Sequence, residues 1–172
     1  IRKCQCLPQQ MTDTDVIFIG YEKGRTKLLN EIAAHLAPFR VNLHIVHDSS
    51  EVIPYADYVE RIRRSRCLVD VIIGNQKGIT LRPLEALTYK KKLITNCVQI
   101  CDEAFYSSQN IFVIGRDDWS RIDEFLSSPF DESVLSMAGR YVVYMPEEGH
   151  NGVSRKIGKE EERKRQEEQQ RK

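Results

Sequence analysis

The chain has 172 residues, with 26 Lys and Arg against 25 Asp and Glu and 41% apolar residues. This balance fits one globular domain with a core and excludes a two-domain enzyme of ordinary size. No apolar run is long enough to span a membrane, and the start at Ile1 lacks the pattern of a signal peptide. We therefore expect a cytoplasmic protein, and because the first residue is not Met, the chain is interpreted as either a whole protein or a fragment.

Charge is unevenly distributed along the chain. Residues 155–172 hold 8 basic and 5 acidic residues, which leaves the remainder close to neutral. Proteins that bind nucleic acids usually carry a basic face with interleaved aromatic residues, and this basic surplus lies in a segment without an aromatic residue. We therefore expect no nucleic-acid partner.

The cysteine pattern favours free thiols. The odd count of five without a secretory signal argues against a disulfide framework. The pairs Cys4 and Cys6, and Cys97 and Cys101, lack the C-x2-C spacing typical of zinc sites. We expect no metal site.

Strand and helix patterns alternate in the first half of the chain. A continuous apolar run at 16–19 predicts a strand buried on both faces, and a helical apolar stripe over 28–36 follows it. Alternation over 41–45 predicts a second strand, a stripe over 55–62 a second helix, and an apolar run over 68–73 a third strand.

The second half continues in the same order. Pro83 precedes good helix formers, which predicts a helix from about Arg82. Runs at 93–95 and 111–114 predict two more strands, and a stripe over 119–126 predicts a fourth helix. The order predicts an α/β fold, a doubly wound Rossmann-like parallel sheet of about five strands.

Three regions are predicted from these patterns. Residues 1–14 are a linker or the remnant of a preceding domain, and residues 15–144 form the Rossmann-like domain. Residues 145–172 form a charged tail, in which 159–172 contains only Lys, Arg, Glu and Gln. Such a stretch forms either a solvated single helix or a disordered tail.

The first candidate site is the loop at 20–25, since ligands of doubly wound sheets bind beyond the carboxyl ends of the strands. Gly24 allows close approach of the backbone, and Lys23 and Arg25 supply positive charge for a phosphate. The alternative is an ordinary turn between strand and helix with solvated charges.

The second candidate site follows the third strand. Gly78 and the backbone N–H groups of Thr80 and Leu81 can surround an anion, and the guanidinium of Arg82 can donate to two phosphate oxygens. Glu85 can accept hydrogen bonds from two sugar hydroxyls. The spacing suits a nucleoside diphosphate, while the alternative for the last two residues is a surface ion pair.

The stretch Lys77-Gly-Ile-Thr-Leu-Arg-Pro-Leu-Glu85-Ala-Leu-Thr-Tyr-Lys-Lys-Lys-Leu-Ile-Thr95 resembles the E-x7-E region of GT-B glycosyltransferases. More closely, the region from about residue 15 to 129 is similar to the C-terminal nucleotide-sugar-binding domain of bacterial lipopolysaccharide and capsule glycosyltransferases. In that group a Gly-Leu-Thr-Leu-Arg-x-x-Glu-Ala-Leu motif precedes a Lys-Lys-Leu-Ile-Thr strand. The resemblance covers roughly two thirds of the chain.

The resemblance implies roles for individual residues. Glu85 matches the glutamate that bonds the donor ribose, and Gly78 and Thr80 match positions facing the donor's sugar and phosphates. Lys23 and Arg25 fall in a loop that often contacts the diphosphate. The complete donor-binding set is Lys23, Gly24, Arg25, Lys77, Gly78, Thr80, Leu81, Arg82 and Glu85.

Two further positions depart from the ordinary pattern. Lys77 occupies the place of the family's first glutamate, and a cation cannot accept hydrogen bonds from sugar hydroxyls. The run 90–92 of three lysines replaces Gly-x-Pro and predicts a solvated turn. Asp70 lies inside an apolar strand, where we expect it to be hydrogen-bonded in a structural role.

The resemblance implies the donor-binding half of a glycosyltransferase that moves a sugar from a nucleotide-diphosphate donor to a glycan or lipid acceptor in cell-surface polysaccharide biosynthesis. Hexosyltransferase activity would require an N-terminal domain, so we expect little activity from these residues alone, with the catalytic residues unassigned. No cofactor is implied beyond the nucleotide-sugar substrate. We expect a cytoplasmic location, with at most peripheral contact at the inner face of the membrane.

Two alternatives stay open at this point. One is a noncatalytic signalling or interaction domain of flavodoxin-like fold. The other is a degenerate glycosyltransferase fragment whose charged tail binds a protein partner.

Overall fold

The computed structural model describes residues 12–74 and 79–136. Its parallel sheet has the strand order 2-1-3-4-5. The strands are β1 (Thr14–Tyr21), β2 (Val41–Val46), β3 (Ser65–Asp70), β4 (Lys92–Thr95) and β5 (Ile111–Val113). The prediction of a parallel α/β sheet of about five strands is confirmed.

Helices cover both faces of this sheet. They are α1 (Thr26–His35), α2 (Tyr55–Arg63), α3 (Arg82–Thr88) and α4 (Ile122–Ser127). Short 3-10 helices lie at Ser49–Glu51, Val98–Asp102, Trp119–Arg121 and Glu132–Ser136. Helices α1 and α4 pack on one face and α2 and α3 on the other, which confirms the doubly wound architecture.

The last helix begins later than its apolar stripe predicts. The side chain of Asp118 accepts a hydrogen bond from the backbone N–H of Ser120 at 2.9 Å. This contact closes a 3-10 turn at Trp119–Arg121, and the α-helix starts only at Ile122. Local capping of this kind competes with a longer helix.

The core has two layers because β1 is buried on both faces. Val16 and Phe18 pack with α1 and α4, whereas Ile17 and Ile19 pack with α2 and α3. Side chains alternate along a strand, so an apolar run without polar interruption is what a strand covered twice requires. Burying one such side chain stabilises the fold by roughly 1.5–3 kcal/mol.

Asp15 connects the amino ends of three neighbouring strands through hydrogen bonds and ion pairs. Its carboxylate accepts hydrogen bonds from the backbone N–H of Arg40 at 3.0 Å and from that residue's guanidinium at 3.2 Å. The guanidinium of Arg66 lies 3.5 Å away. The pKa of Asp15 is lowered, chiefly by the Arg40 side chain, although burial opposes the shift. We call these three residues the Asp15 clamp.

The lysine run at 90–92 does not form a solvated turn throughout. Lys90 adopts a left-handed backbone with φ 51° and is exposed. Lys92 is buried as the first residue of β4, and its Nζ donates to Gln109 O at 2.5 Å and to Ser128 Oγ at 2.8 Å. Burial lowers the pKa of Lys92. Lys92 is therefore a buried, hydrogen-bonded residue of the sheet and not part of a solvated turn.

The predicted regions extend beyond the described part of the chain. Strand β1 begins at Thr14, so the predicted remnant at 1–14 contributes the strand's first residue. Residues 137–144 and the predicted tail at 145–172 lie outside the described residues. The division into three regions stays a prediction. Within the described ranges, no helix combines the length and the apolar character needed to cross a membrane.

The Asp15 clamp predicts a pH-dependent stability. The Asp15→Asn variant should lower the free energy of unfolding by about 1–2 kcal/mol at neutral pH, because the buried carboxylate loses its charged hydrogen bonds to the partly exposed Arg40 guanidinium. The folded-state pKa of Asp15 lies below the ordinary 3.8. The clamp's contribution is therefore complete above that value and disappears as the pH falls through the folded-state pKa.

Urea unfolding of both proteins across this acidic range measures the difference. The exposed Asp102→Asn variant is the matched control and should behave like the wild type. A difference that stays constant below the ordinary carboxyl pKa would contradict this account.

Candidate functional site

The usual ligand position of this fold lies at the carboxyl ends of β1 and β3. After β1 the chain enters α1 on one face of the sheet, and after β3 it enters α3 on the opposite face. Loops that diverge in this way leave a crevice, which is where doubly wound proteins bind ligands. Both loops predicted from the sequence lie at this carboxyl edge.

The chain's own Glu22 binds the start of α1. Its carboxylate accepts hydrogen bonds from Gly24 N at 2.7 Å and from Thr26 Oγ1 at 2.8 Å. The pKa of Glu22 is lowered, mainly by the Gly24 N–H group. An acidic side chain therefore takes the position that the sequence predicts for a phosphate.

The basic residues of this first loop differ in their contacts. Arg25 donates from Nε to Val71 O at 2.9 Å and from Nη1 to Tyr21 O at 2.7 Å, which ties the ends of β1 and β3 together. Lys23 has a left-handed backbone with φ 39°, is exposed, and places its Nζ 5.7 Å from the centre of the Tyr21 ring. The guanidinium is thus occupied by backbone carbonyls, while the lysine faces solvent.

The second loop is held by Asp70. Thr80 donates from Oγ1 to Asp70 Oδ2 at 2.8 Å, and the same hydroxyl accepts the backbone N–H of Arg82 at 3.3 Å. Burial raises the pKa of Asp70. The expected hydrogen-bonded role of Asp70 is confirmed. Leu81 is exposed just before α3, and Lys77 and Gly78 lie outside the described residues.

Arg82 crosses the sheet edge from α3 to β1. Its Nη2 donates to Ile19 O at 2.6 Å, and its guanidinium carbon lies 5.3 Å from the centre of the Tyr58 ring. Its Nε lies 3.6 Å from Glu85 Oε2. Its Nη1 is buried and has no hydrogen-bond partner among the described residues.

Glu85 is a buried residue with only 4% of its surface exposed. It accepts a hydrogen bond from the hydroxyl of Tyr58 and forms its ion pair with Arg82. Burial raises the pKa of Glu85, and the guanidinium charge opposes that shift. The ion pair between Arg82 and Glu85 that the sequence offers as the alternative is therefore present, but it is buried against Tyr58 of α2 and does not lie at the surface.

The carboxyl edge thus brings Arg25, Thr80, Arg82 and Glu85 together, yet each of them binds a group of its own chain. Gly24 donates its N–H to a carboxylate as well. A ligand role for these residues stays a prediction.

The opposite edge of the sheet carries a dense group of cations. Arg40 precedes β2, Arg64 precedes β3, and Lys90 and Lys91 precede β4. Parallel strands begin at the same edge, so these positions converge. With the end of α2 they form a surface that we call the basic rim: Arg40, Arg61, Arg63, Arg64, Arg66, Lys90 and Lys91.

Ion pairs and backbone contacts hold the basic rim in place. Arg40 and Arg66 share Asp15, and Arg64 pairs with Asp13. Lys91 Nζ donates to the backbone carbonyl of residue 63 at 2.6 Å. Cations at the end of α2 also suit the negative end of its dipole. The rim still keeps exposed guanidinium groups, since one arginine has more N–H donors than these contacts use.

Sequence reasoning missed the basic rim because its members are separated along the chain. Arg40 stands alone in sequence, and the other cations lie at 61–66 and 90–91. The available signal was the repeated placement of Arg or Lys directly before a predicted parallel strand. Combined with the predicted topology, that placement assembles them at one edge.

The described residues contain no group of three or more His, Cys, Asp and Glu side chains that could hold a metal ion. Cys67, Cys97 and Cys101 are free thiols, and Cys4 and Cys6 lie outside the described residues.

One family model matches the chain. It describes the Ribonuclease E/G family and matches residues 136–172, about a fifth of the sequence. Searches of the curated proteins and of the solved structures found no match.

This match overturns the glycosyltransferase hypothesis drawn from the sequence. The recognition as a lipopolysaccharide or capsule transferase, the nucleotide-sugar donor and the glycan or lipid acceptor are wrong, and so is the expectation of no nucleic-acid partner. The physical reason lies in the motif at 77–95. Glu85 is sequestered beneath Tyr58, and Thr80 anchors its loop on Asp70, so both serve the fold.

The Tyr58 to Glu85 contact yields a stability prediction. The Tyr58→Phe variant leaves a buried carboxylate oxygen without its hydroxyl donor, so the free energy of unfolding should fall by about 1–3 kcal/mol. Urea unfolding at neutral pH measures the loss. Tyr21→Phe is the matched control because Tyr21 is exposed. Equal stability of the Tyr58→Phe variant and the wild type would contradict a sequestered Glu85.

Proposed function

We propose that this chain is a ribonuclease-related protein that binds RNA, with phosphate groups held on the basic rim. The observation that carries the proposal is the Ribonuclease E/G family match at residues 136–172. Phosphate contacts by Arg and Lys supply most of the affinity of proteins for RNA and DNA that does not depend on sequence. The basic rim is the part of the described domain that offers such contacts.

The path of the chain supports RNA binding by the basic rim together with the matched segment. The final 3-10 helix, Glu132–Ser136, ends at the first residue of the matched segment. Glu132 forms an ion pair with Lys90 at 3.0 Å, so the chain enters that segment beside the basic rim. The segment itself contains nine Lys and Arg residues. A segment rich in cations therefore begins next to the basic rim.

The exposure and geometry of the basic rim also support the proposed binding of RNA phosphates. The side chains of Arg40, Arg64 and Arg66 are 60%, 49% and 41% exposed. The Asp15 clamp orients two of these guanidinium groups before any ligand arrives, which reduces the entropy lost on binding. Arginine is well suited to phosphate because its planar group donates two parallel hydrogen bonds.

The proposal also covers the cellular location of the protein and its division into regions. We place the protein in the cytoplasm, and the free thiols Cys67, Cys97 and Cys101 are consistent with a reducing compartment. We retain residues 15–144 as the domain that carries the rim. Most of the matched segment then belongs to the region 145–172.

Salt-dependent RNA binding tests the proposal. The full chain should bind single-stranded oligouridine, with log K falling linearly as log salt rises. The Arg63→Gln/Lys90→Gln double variant should bind more weakly, and the steepness of this fall should decrease by roughly 0.7 for each phosphate that the variant no longer neutralises. Fluorescence anisotropy over a salt series measures both quantities.

The control removes two exposed cations from the opposite edge. Lys23→Gln/Lys27→Gln matches the rim variant in charge, and each pair includes one lysine with a left-handed backbone. We expect this control to keep the wild-type slope. Absence of RNA binding by the wild-type chain, or an equal loss in both double variants, would overturn the proposed function.

A further inference from the structure

A groove lies beside the basic rim, between α2 and the first residues of β1 and β2. Its volume is about 420 Å³, at the small end of the range of ligand pockets. One wall is a polar stripe of α2 and its C-cap with the spacing i, i+3, i+4 and i+7: Asp57, Glu60, Arg61 and the C-cap residue Arg64. Residues at this spacing share one face of a helix, so the three helical residues project along the same side of α2, and Arg64 continues that side at its end.

The opposite side of the groove is formed by strand residues. Thr14 and the buried Ile17 belong to β1, Asp13 precedes that strand, and the exposed Asn42 belongs to β2. Strand β2 is the edge of the sheet, and α2 crosses to β3 without covering Asn42. The groove therefore combines an apolar contact, a side-chain amide and charged groups of both signs.

Two carboxylates of the groove are without partners in the described part of the chain. Arg64 pairs with Asp13, but Asp57 and Glu60 are exposed and make neither an ion pair nor a side-chain hydrogen bond. Arg61 and Arg64 lie four residues beyond Asp57 and Glu60 on the same face and offset their charge, without forming an ion pair with either carboxylate in the described part of the chain. The two carboxylates therefore keep their oxygens as acceptors for a ligand that supplies hydrogen-bond donors.

We propose that this groove binds one unpaired guanine base of an RNA whose phosphates lie on the basic rim, an inference that rests on the proposed function. Guanine presents two adjacent donors, N1–H and the 2-amino group, which match the two oxygens of one carboxylate. Uracil and cytosine lack that pair of donors. Unpaired bases also stack on arginine planes, and Arg61 supplies one in the wall.

The arrangement of charge favours RNA over a basic peptide. A peptide rich in Lys and Arg would meet carboxylates in the groove but cations along the adjoining rim, which includes Arg61 and Arg64. RNA carries phosphates and base donors at a short separation. It can therefore satisfy the rim and the groove at once.

The experiment compares oligouridines that differ only at one central nucleotide. With the full chain, a central guanosine should bind about tenfold more tightly than a central uridine, the effect of one good two-bond base contact. A central inosine lacks the 2-amino group and should lose most of that gain. Fluorescence anisotropy at fixed salt measures each affinity.

The Asp57→Asn/Glu60→Gln variant separates the groove from the rim. It should abolish the preference for guanosine while the all-uridine oligomer keeps at least its wild-type affinity and its salt slope. The Glu31→Gln/Asp123→Asn variant removes two exposed carboxylates from the other face of the sheet and should retain the preference.

The outcomes distinguish the two proposals. Equal affinity for all central bases, or a guanosine preference that survives the groove variant, overturns the groove assignment while salt-dependent binding of oligouridine leaves the rim intact. If the wild-type chain binds an arginine-rich peptide through Asp57 and Glu60 and shows no base preference, the groove is a protein site. If no oligouridine binds, the proposed function itself has failed.

Discussion

The ion-pair cluster around Asp15 determines how the amino edge of this sheet is built. A carboxylate that is buried at the start of β1 must be paired, since an unpaired charge there would be costly. Arg40 and Arg66 supply the pairing from the two neighbouring strands. The same contacts that stabilise the junction of three strands fix two guanidinium groups at the surface. The same ion pairs therefore stabilise the sheet and hold positive charge at its surface.

The two edges of the sheet contrast in how their polar groups are used. At the carboxyl edge, where doubly wound proteins bind ligands, Glu22, Arg25 and Glu85 are all engaged by groups of the same chain. At the amino edge, Arg40 and Arg66 also contact groups of the same chain, Asp15 and the Leu126 carbonyl, but their side chains remain 60% and 41% exposed. A shared fold therefore does not locate function by itself. The proposed RNA site therefore lies at the edge that the fold's general rule does not favour.

The fold was predictable from the sequence because the spacing of apolar residues indicates which side chains are buried. The uninterrupted run at 16–19 can only belong to an element covered on both faces or to a buried helix, and its short length favours a strand. The role of Glu85 was not predictable, because its partner Tyr58 lies on another helix and is brought near only by the tertiary fold. The motif at 77–95 has residue types like those of a glycosyltransferase loop, but the side chains of Thr80 and Glu85 make contacts within the fold. The basic rim was also not predictable, because only the tertiary fold brings Arg40 close to the other cations and no local sequence pattern links them.

Arginine footprinting tests most directly whether the basic rim contacts RNA. The full chain would be modified with an arginine-specific dicarbonyl reagent, with and without oligouridine, and the extent of modification at each residue read by mass spectrometry. We expect RNA to protect Arg63 and the clamp residues Arg40 and Arg66, while Arg121, exposed beside α4, keeps its modification rate. Protection of Arg121 to the same degree, or no protection along the rim, would contradict the account.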